Sequence, residues 1–371
     1  MAAVRSSIQL VSLIITLYVV ATMGKFGPSV SLPIPGAVPE DVVPISSPDL
    51  VLVGLTPASN AYNASLLLVQ STDAGLTVVD ELMLPSCFPA FVPINSNLVL
   101  LWCPQYIPSC KSVFFALVTV DTSKEGAPRI QLKNEVEVPP DDTHCNYLYF
   151  PLPATVVNPK VIWFAGNANN GAFVYKFDIA SMTLTTIETN IFDNNTNAFP
   201  LYGAADASGL LLLSYSQGPT FAYASIDGET GKAIRTQLSR DYAPLLCVVS
   251  EGDSSGFAIG TANGQLPIMN WDWASWKNKG SSITVPGSGY FSGGLVLGLS
   301  SDYLFIGAYN NRANNGSSIL SQVSVSSKSG DALSVLDQVA VLPSIYSLRV
   351  GMNQQQLFMT GPNLLVRYTL L

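Results

Sequence analysis

"FPLYGAADASGLLLLSYSQGPTFAYASIDGETGKAIRTQLS", Phe199–Ser239, holds four short runs of β-forming residues parted by three turns. The runs are FPLYGAA, LLLLSYS, TFAYASI and AIRTQLS, here strands a to d. The breaks are DASG, QGP and DGETGK. Each run is too short for a helix, and Gly and Asp in the breaks supply positive φ and side-chain-to-backbone hydrogen bonds. The stretch therefore reads as a four-stranded meander whose c–d turn is Asp227–Lys232.

The second run has counterparts along the whole chain. LVLVGL starts at Leu50, LVLLWC at Leu98, VIWFAG at Val161, GLLLLSY at Gly209, GFAIGT at Gly256, YLFIGAY at Tyr303 and QLFMTG at Gln356. The intervals run from 47 to 63 residues. Seven four-stranded units at that period predict an all-β fold, a seven-bladed β-propeller. The ends sharpen the expectation. After the seventh b strand only GPNLLVRYTLL remains, so the last unit lacks its fourth strand. Upstream of the first b strand lie two extended pieces, around Pro28–Pro35 and Asp41–Ser47. The second is strand a of the first blade. The first is left over, and it is expected to complete the last blade and close the ring, removing exposed strand edges. Residues 25–371 are thus read as one propeller domain.

The c–d turns have a D-x-x-[TS]-G character followed by an apolar strand. DGETGKAI at Asp227 fits best, DTSKEGAPRI at Asp121 and SSKSGDALSV at Ser326 more loosely, and the segment from Asp272 least. This turn resembles repeats of the quinoprotein and YVTN kind of propeller. The resemblance implies a fold and carries over no catalytic residue or cofactor.

MAAVRSSIQLVSLIITLYVVATMGK at the N-terminus joins Arg5 to an apolar run, Ile8–Val20, with small residues after it. It reads as a signal peptide, 1–21, with cleavage at 24 as an alternative. The run is shorter than a membrane span, and no span is expected after its removal. A secreted, extracellular protein follows. Three N-x-[ST] sequons agree, at Asn63, Asn194 and Asn315, as candidate glycosylation sites on one face of the ring. Apolar residues make up 48% and charged residues 11% of the chain, so glycans would supply solubility that charge does not. The net charge of −8 and the lack of a basic patch argue against nucleic acid.

Five cysteines in an oxidising compartment are expected to pair. Cys103 and Cys110 bracket a hairpin loop and form the first expected pair. Cys87 and Cys145, in successive d–a loops, form the second. Cys247, in an apolar run, is left as a buried thiol.

In this fold the d–a and b–c loops share one face, the top. Aromatics cluster where the a strands start: Phe88, Tyr149, Phe199, Tyr242, Tyr290 and Tyr346 are ligand-binding candidates. The competing reading is that they wedge neighbouring blades apart. Trp271 and Trp273, in a c–d region, either stack on a partner or cover a blade edge. The lone histidine, His144, sits beside Asp141 and Asp142. With no second histidine, no metal site is expected there, and no G-x-S-x-G elbow accompanies it. Carboxylates on the other face (Asp73, Asp121, Asp178, Asp206, Asp227, Glu251, Asp253, Asp302) read as turn-capping residues rather than a calcium ring. The chain is therefore read as a non-catalytic module binding an extracellular protein or glycan, without a cofactor. Two alternatives stay open: an extracellular hydrolase of lactonase-like kind at the channel mouth, drawing on Asp141, Asp142 and Asp241, and a structural coat or matrix protein.

Overall fold

The computed structural model describes residues 26–58, 63–104, 112–122, 127–139, 147–152, 160–168, 171–188, 198–205, 210–217, 220–239, 246–249, 255–259, 266–272, 277–285, 295–299, 303–309, 318–324, 333–341 and 344–370. The expected leader, residues 1–21 or 1–24, lies outside them.

Every regular element among the described residues is a strand. β1 is Phe26–Pro33. Sheet 1 follows, with β2 (Ala37–Pro44), β3 (Leu50–Pro57), β4 (Ser65–Thr72) and β5 (Gly75–Met83). Sheet 2 comprises β6 (Ala90–Asn95), β7 (Leu98–Pro104), β8 (Val113–Asp121) and β9 (Arg129–Val138). Sheet 3 comprises β10 (Tyr147–Leu152), β11 (Val161–Ala168), β12 (Gly171–Asp178) and β13 (Thr183–Glu188). Sheet 4, the stretch that opened the sequence reading, comprises β14 (Ala198–Ala205), β15 (Leu210–Gln217), β16 (Thr220–Asp227) and β17 (Ala233–Ser239). Sheet 5 is β18 (Leu246–Val249), β19 (Ser255–Ile259), β20 (Leu266–Asp272) and β21 (Lys277–Val285). Sheet 6 is β22 (Leu295–Leu299), β23 (Tyr303–Tyr309), β24 (Ser318–Ser324) and β25 (Ser334–Ala340). Sheet 7 has β26 (Ser347–Val350), β27 (Gln356–Gly361) and β28 (Leu364–Leu370), and its fourth place is taken by β1.

β1 runs antiparallel to β28, with Val30 opposite Arg367 and Leu32 opposite Leu365. Phe26 anchors its start: the ring packs on Phe305 and Tyr368, and its N–H donates to Asp337 Oδ2 on β25 at 3.1 Å. Asp80 on β5 accepts from Ile130 N–H on β9 in the same manner at 2.7 Å. Each aspartate follows a register shift in its outer strand, which turns a polar side chain toward the next sheet.

β3, β7, β11, β23 and β27 are buried on both faces where their side chains are described, which is why they read as unbroken apolar runs. Leu50 to Leu55 are all buried, as are Val99 to Cys103. Their side chains fill the seams between sheets, each large aliphatic contributing about 1.5–3 kcal/mol. Between sheets 2 and 3 the filling is aromatic. Phe115 stacks on Phe177 at 4.4 Å and meets Phe164 edge-on at 5.8 Å, and Trp102 meets Phe164 at 5.7 Å. One buried cation also bridges a seam: Arg367 on β28 donates to Ser71 Oγ and Thr72 O at the end of β4.

The Asp227 turn shows why its motif recurs. Asp227 Oδ1 accepts from the N–H groups of Glu229 and Thr230, and Gly231 takes φ +69°. Asp178 Oδ1 accepts likewise from Ser181 N–H and Oγ, ahead of Met182 at φ 54°. These backbone N–H groups hold both carboxyls below the ordinary 3.8.

The cysteine pairing departs from the sequence reading. Cys87 is bonded to Cys103, with Cα atoms 5.2 Å apart. Both expected bonds, Cys103–Cys110 and Cys87–Cys145, are thereby corrected, since each needs a cysteine already used. The sequence placed Cys87 beside the next blade's loop. In the fold Phe88 N–H donates to Pro104 O, so the segment before β6 lies against the end of its own sheet's β7. Cys110 and Cys145 fall outside the described residues.

Candidate binding site at the inner strands

β2, β6 and β26 are edge strands of sheets 1, 2 and 7, and β2 contacts both of the others. β2 has the sequence AVPEDVVP, and a register shift between Pro39 and Asp41 points a carboxylate into the junction. Asp41 is buried. Its Oδ1 accepts from Val42 N–H at 2.8 Å and from Ser347 Oγ on β26. Its Oδ2 accepts from Phe91 N–H on β6 at 2.9 Å and stands 3.5 Å from Arg349 Nη2. One side chain thus ties three sheets together, and four donors offset the desolvation of its charge.

Arg349 follows Ser347 by two positions on β26, so both face sheet 1, while Leu348 faces sheet 6 near Gly307. Its Nη2 lies 3.5 Å from Phe91 O as well as from Asp41. To touch β6 from β26 the guanidinium must pass the inner edge of β2. It remains 35% exposed there, against 11% for Asp41. Beside them Glu40 accepts a hydrogen bond from Thr56 Oγ1, and burial nevertheless holds its carboxyl above the ordinary 4.5.

Two aromatic candidates stand at the entrances to these strands. Phe88 precedes β6 and is 40% exposed, and Tyr346 precedes β26 and is 41% exposed. Their neighbours in sequence pack against the adjoining sheets. Pro89 presses on Gly54 of β3, and Ile345 presses on Gly307 of β23. The two aromatic residues are thus partly exposed, and the adjacent proline and isoleucine pack on the neighbouring sheets.

The other candidates are dispersed or undescribed. Tyr149 lies on β10 at a register shift between Leu148 and Phe150. Phe199 is on β14 opposite Ser216, and Trp271 is on β20 opposite Gly256 and Asn278. Tyr242, Tyr290, Trp273, Asp141, Asp142, His144 and Asp241 lie outside the described residues. Of the sequons, Asn63 is exposed between β3 and β4, and Asn194 and Asn315 lie outside the described residues. Among the described residues no group of three His, Cys, Asp or Glu side chains converges as metal ligands would. No helix there is long and apolar enough to cross a membrane.

Sequence reasoning missed Asp41, Ser347 and Arg349. A signal existed: Asp41 interrupts an apolar strand, and Arg349 is the one cation in SLRVG. Only the meeting of residues about 300 positions apart makes them a site.

No family model and no curated protein matches the chain. Solved structures do. The Dos1 propeller superposes with a TM-score of 0.56 at 9% identity, over 93% of this chain and 95% of that one. The β-propeller domain of Cps50 (Swd1) from Myceliophteria thermophila superposes with a TM-score of 0.59 at 11% identity, over 92% of this chain and 100% of that one. At such identities the likeness concerns the fold alone: the chain is an all-β propeller.

Proposed function

We propose that the protein is a secreted, glycosylated, seven-bladed β-propeller, closed by β1 on β28, that serves as a non-catalytic module binding an extracellular protein or glycan. The observation that carries the binding reading is the exposure of two large aromatics at strand entrances, Phe88 at 40% and Tyr346 at 41%, on the two sheets that flank sheet 1. Exposed aromatics of this kind are the anchors of protein and sugar recognition. The seven described sheets and the Val30–Arg367 register support the closed ring. The Asp227 turn, capped by its own carboxylate, supports the likeness to quinoprotein and YVTN-like repeats. Asn63, exposed between β3 and β4, supports glycosylation there. The hydrolase alternative rests on Asp141, Asp142 and Asp241, which lie outside the described residues.

The test is a double variant, Phe88→Ser with Tyr346→Ser, compared with the wild type on a glycan array and a panel of extracellular domains. The expected outcome is an unchanged melting temperature with binding of the wild type's partner weakened by about tenfold or more, the scale of a lost hot spot. Equal binding by both proteins refutes the reading. Glycopeptide mapping that finds Asn63 unmodified in secreted material refutes glycosylation at that site.

A further inference from the structure

We infer that β1 is a detachable strap: it leaves the edge of β28 while the sheets stay folded, and Gln322 of the neighbouring sheet sets how readily it leaves. The inference rests on the part of the proposed reading in which β1 completes sheet 7, and adds that the completion is reversible.

β1 is lightly held. None of its eight residues is fully buried. Pro28 and Pro33 have no N–H to give to a ladder, and the register with β28 shifts between Phe26 and Ser29. Val30 and Leu32 are only partly buried against the core between sheets 1 and 7. The end nearest β2 is pinned, since Ile34 is buried and its N–H donates to Asn363 O at 2.9 Å. Gly36 follows at φ +79°. The other end depends on Phe26.

Phe26 is seated over a defect. Its ring packs on Phe305 of β23, and its N–H donates to Asp337 Oδ2 of β25 at 3.1 Å. Gln322 of β24 stands between these two, opposite Phe305 on one side and Asp337 on the other. Residues directly opposite one another share a face of the sheet. Gln322 is 1% exposed, and among the described residues neither its Nε2 nor its Oε1 has a hydrogen-bond partner. A buried amide left in that condition bears its full desolvation penalty. When Phe26 withdraws, water reaches the amide, and the Asp337 oxygen it releases can accept from Gln322 Nε2, its cross-strand neighbour.

The seam between sheets 1 and 2 has the same clasp without the defect. There Asp80 of β5 accepts from Ile130 N–H at 2.7 Å. The residue opposite Asp80 is Leu68 of β4, fully buried in an apolar core. In both sheets the register shifts just after this position, so Leu68 and Gln322 hold equivalent places. Stability alone favours leucine at both. The clasp that holds the first described strand carries the unsatisfied amide instead.

Hydrogen exchange resolved to single amides tests this on the intact protein. β28 supplies its own control, because it lies between β1 and β27 and its N–H groups donate alternately to one and the other. The set facing β1 is expected to exchange at least about tenfold faster than the set facing β27, as local opening requires. β8, which lies between β7 and the outer strand β9, should show no such gap. In Gln322→Leu the set facing β1 should slow about tenfold, the scale of one unmet buried amide. Should that variant fold poorly, Gln322→Met makes the same test, and the wild-type gap still decides. Equal rates for the two sets of β28, an equal gap in β8, or an unchanged β1-facing set in a folded Gln322→Leu overturns the strap and leaves the β1–β28 pairing standing. If the β1-facing set exchanges as fast as in the unfolded chain, the pairing itself falls, and the strap with it.

Discussion

Gly54 and Gly307 hold the same place, fifth in their b strands, and the neighbours they receive differ. A methyl group at Gly54 would lie 2.9 Å from both Cγ and the backbone O of Pro89. At Gly307 it would meet the Ile345 terminal methyl at 2.8 Å and the Leu348 Cδ1 at 3.1 Å. A proline ring and a carbonyl cannot yield, whereas an isoleucine can change rotamer. Gly54→Ala should therefore cost about 1–3 kcal/mol, the range for overpacking, and Gly307→Ala clearly less. Urea unfolding of the two variants measures the difference, and equal losses would refute the account. Glu40 gives a second prediction. Its carboxyl titrates above 4.5 in the fold because burial disfavours its charge, so the protonated form favours folding. The associated stability is fully present below about 4.5 and is lost as pH rises through the raised value. Glu40→Gln keeps an acceptor for Thr56 and cannot ionise. Its melting temperature should pull ahead of the wild type as pH climbs from 4.5 to 7. Parallel curves would contradict this. Neither glycine nor Glu40 could be understood from its local run: LVLVGL states that a small residue is present, and the reason is a proline 35 positions on.

At the scale of elements, the bond between Cys87 and Cys103 fastens the approach to β6 onto the end of β7 and holds Phe88 where it is. A closed loop of this size, with a separation of 16 residues, stabilises by roughly 3 kcal/mol. Cys87→Ser with Cys103→Ser should lower stability by about 2–4 kcal/mol, read by thermal or urea unfolding. A loss under about 1 kcal/mol would show that Phe88 N–H on Pro104 O suffices to fix the segment. Strands were the most legible level of this molecule. All seven b runs and the four strands of Phe199–Ser239 appear within a residue or two of their expected places, because two-sided burial and Gly/Asp turns leave a local mark. Disulfide partners were not legible. Their choice depends on how far a loop reaches back over its own sheet, which spacing does not record.

For the molecule as a whole, the leftover N-terminal run was legible by counting, since a meander short of one strand needs another from elsewhere. The proposed binding face was half legible. Phe88 and Tyr346 stand out as aromatics at strand entrances, whereas Asp41 and Arg349 become a pair only when the first and last sheets meet. That meeting also bears on how the protein is made. β1 leaves the ribosome before every other described strand, and its partner β28 follows about 330 residues later. At ~5–20 residues per second, β1 waits roughly twenty seconds to a minute for a mate. Throughout that time the newborn chain carries an unmatched strand and a half-built seam, and it is during this delay that a chaperone would have most to hold.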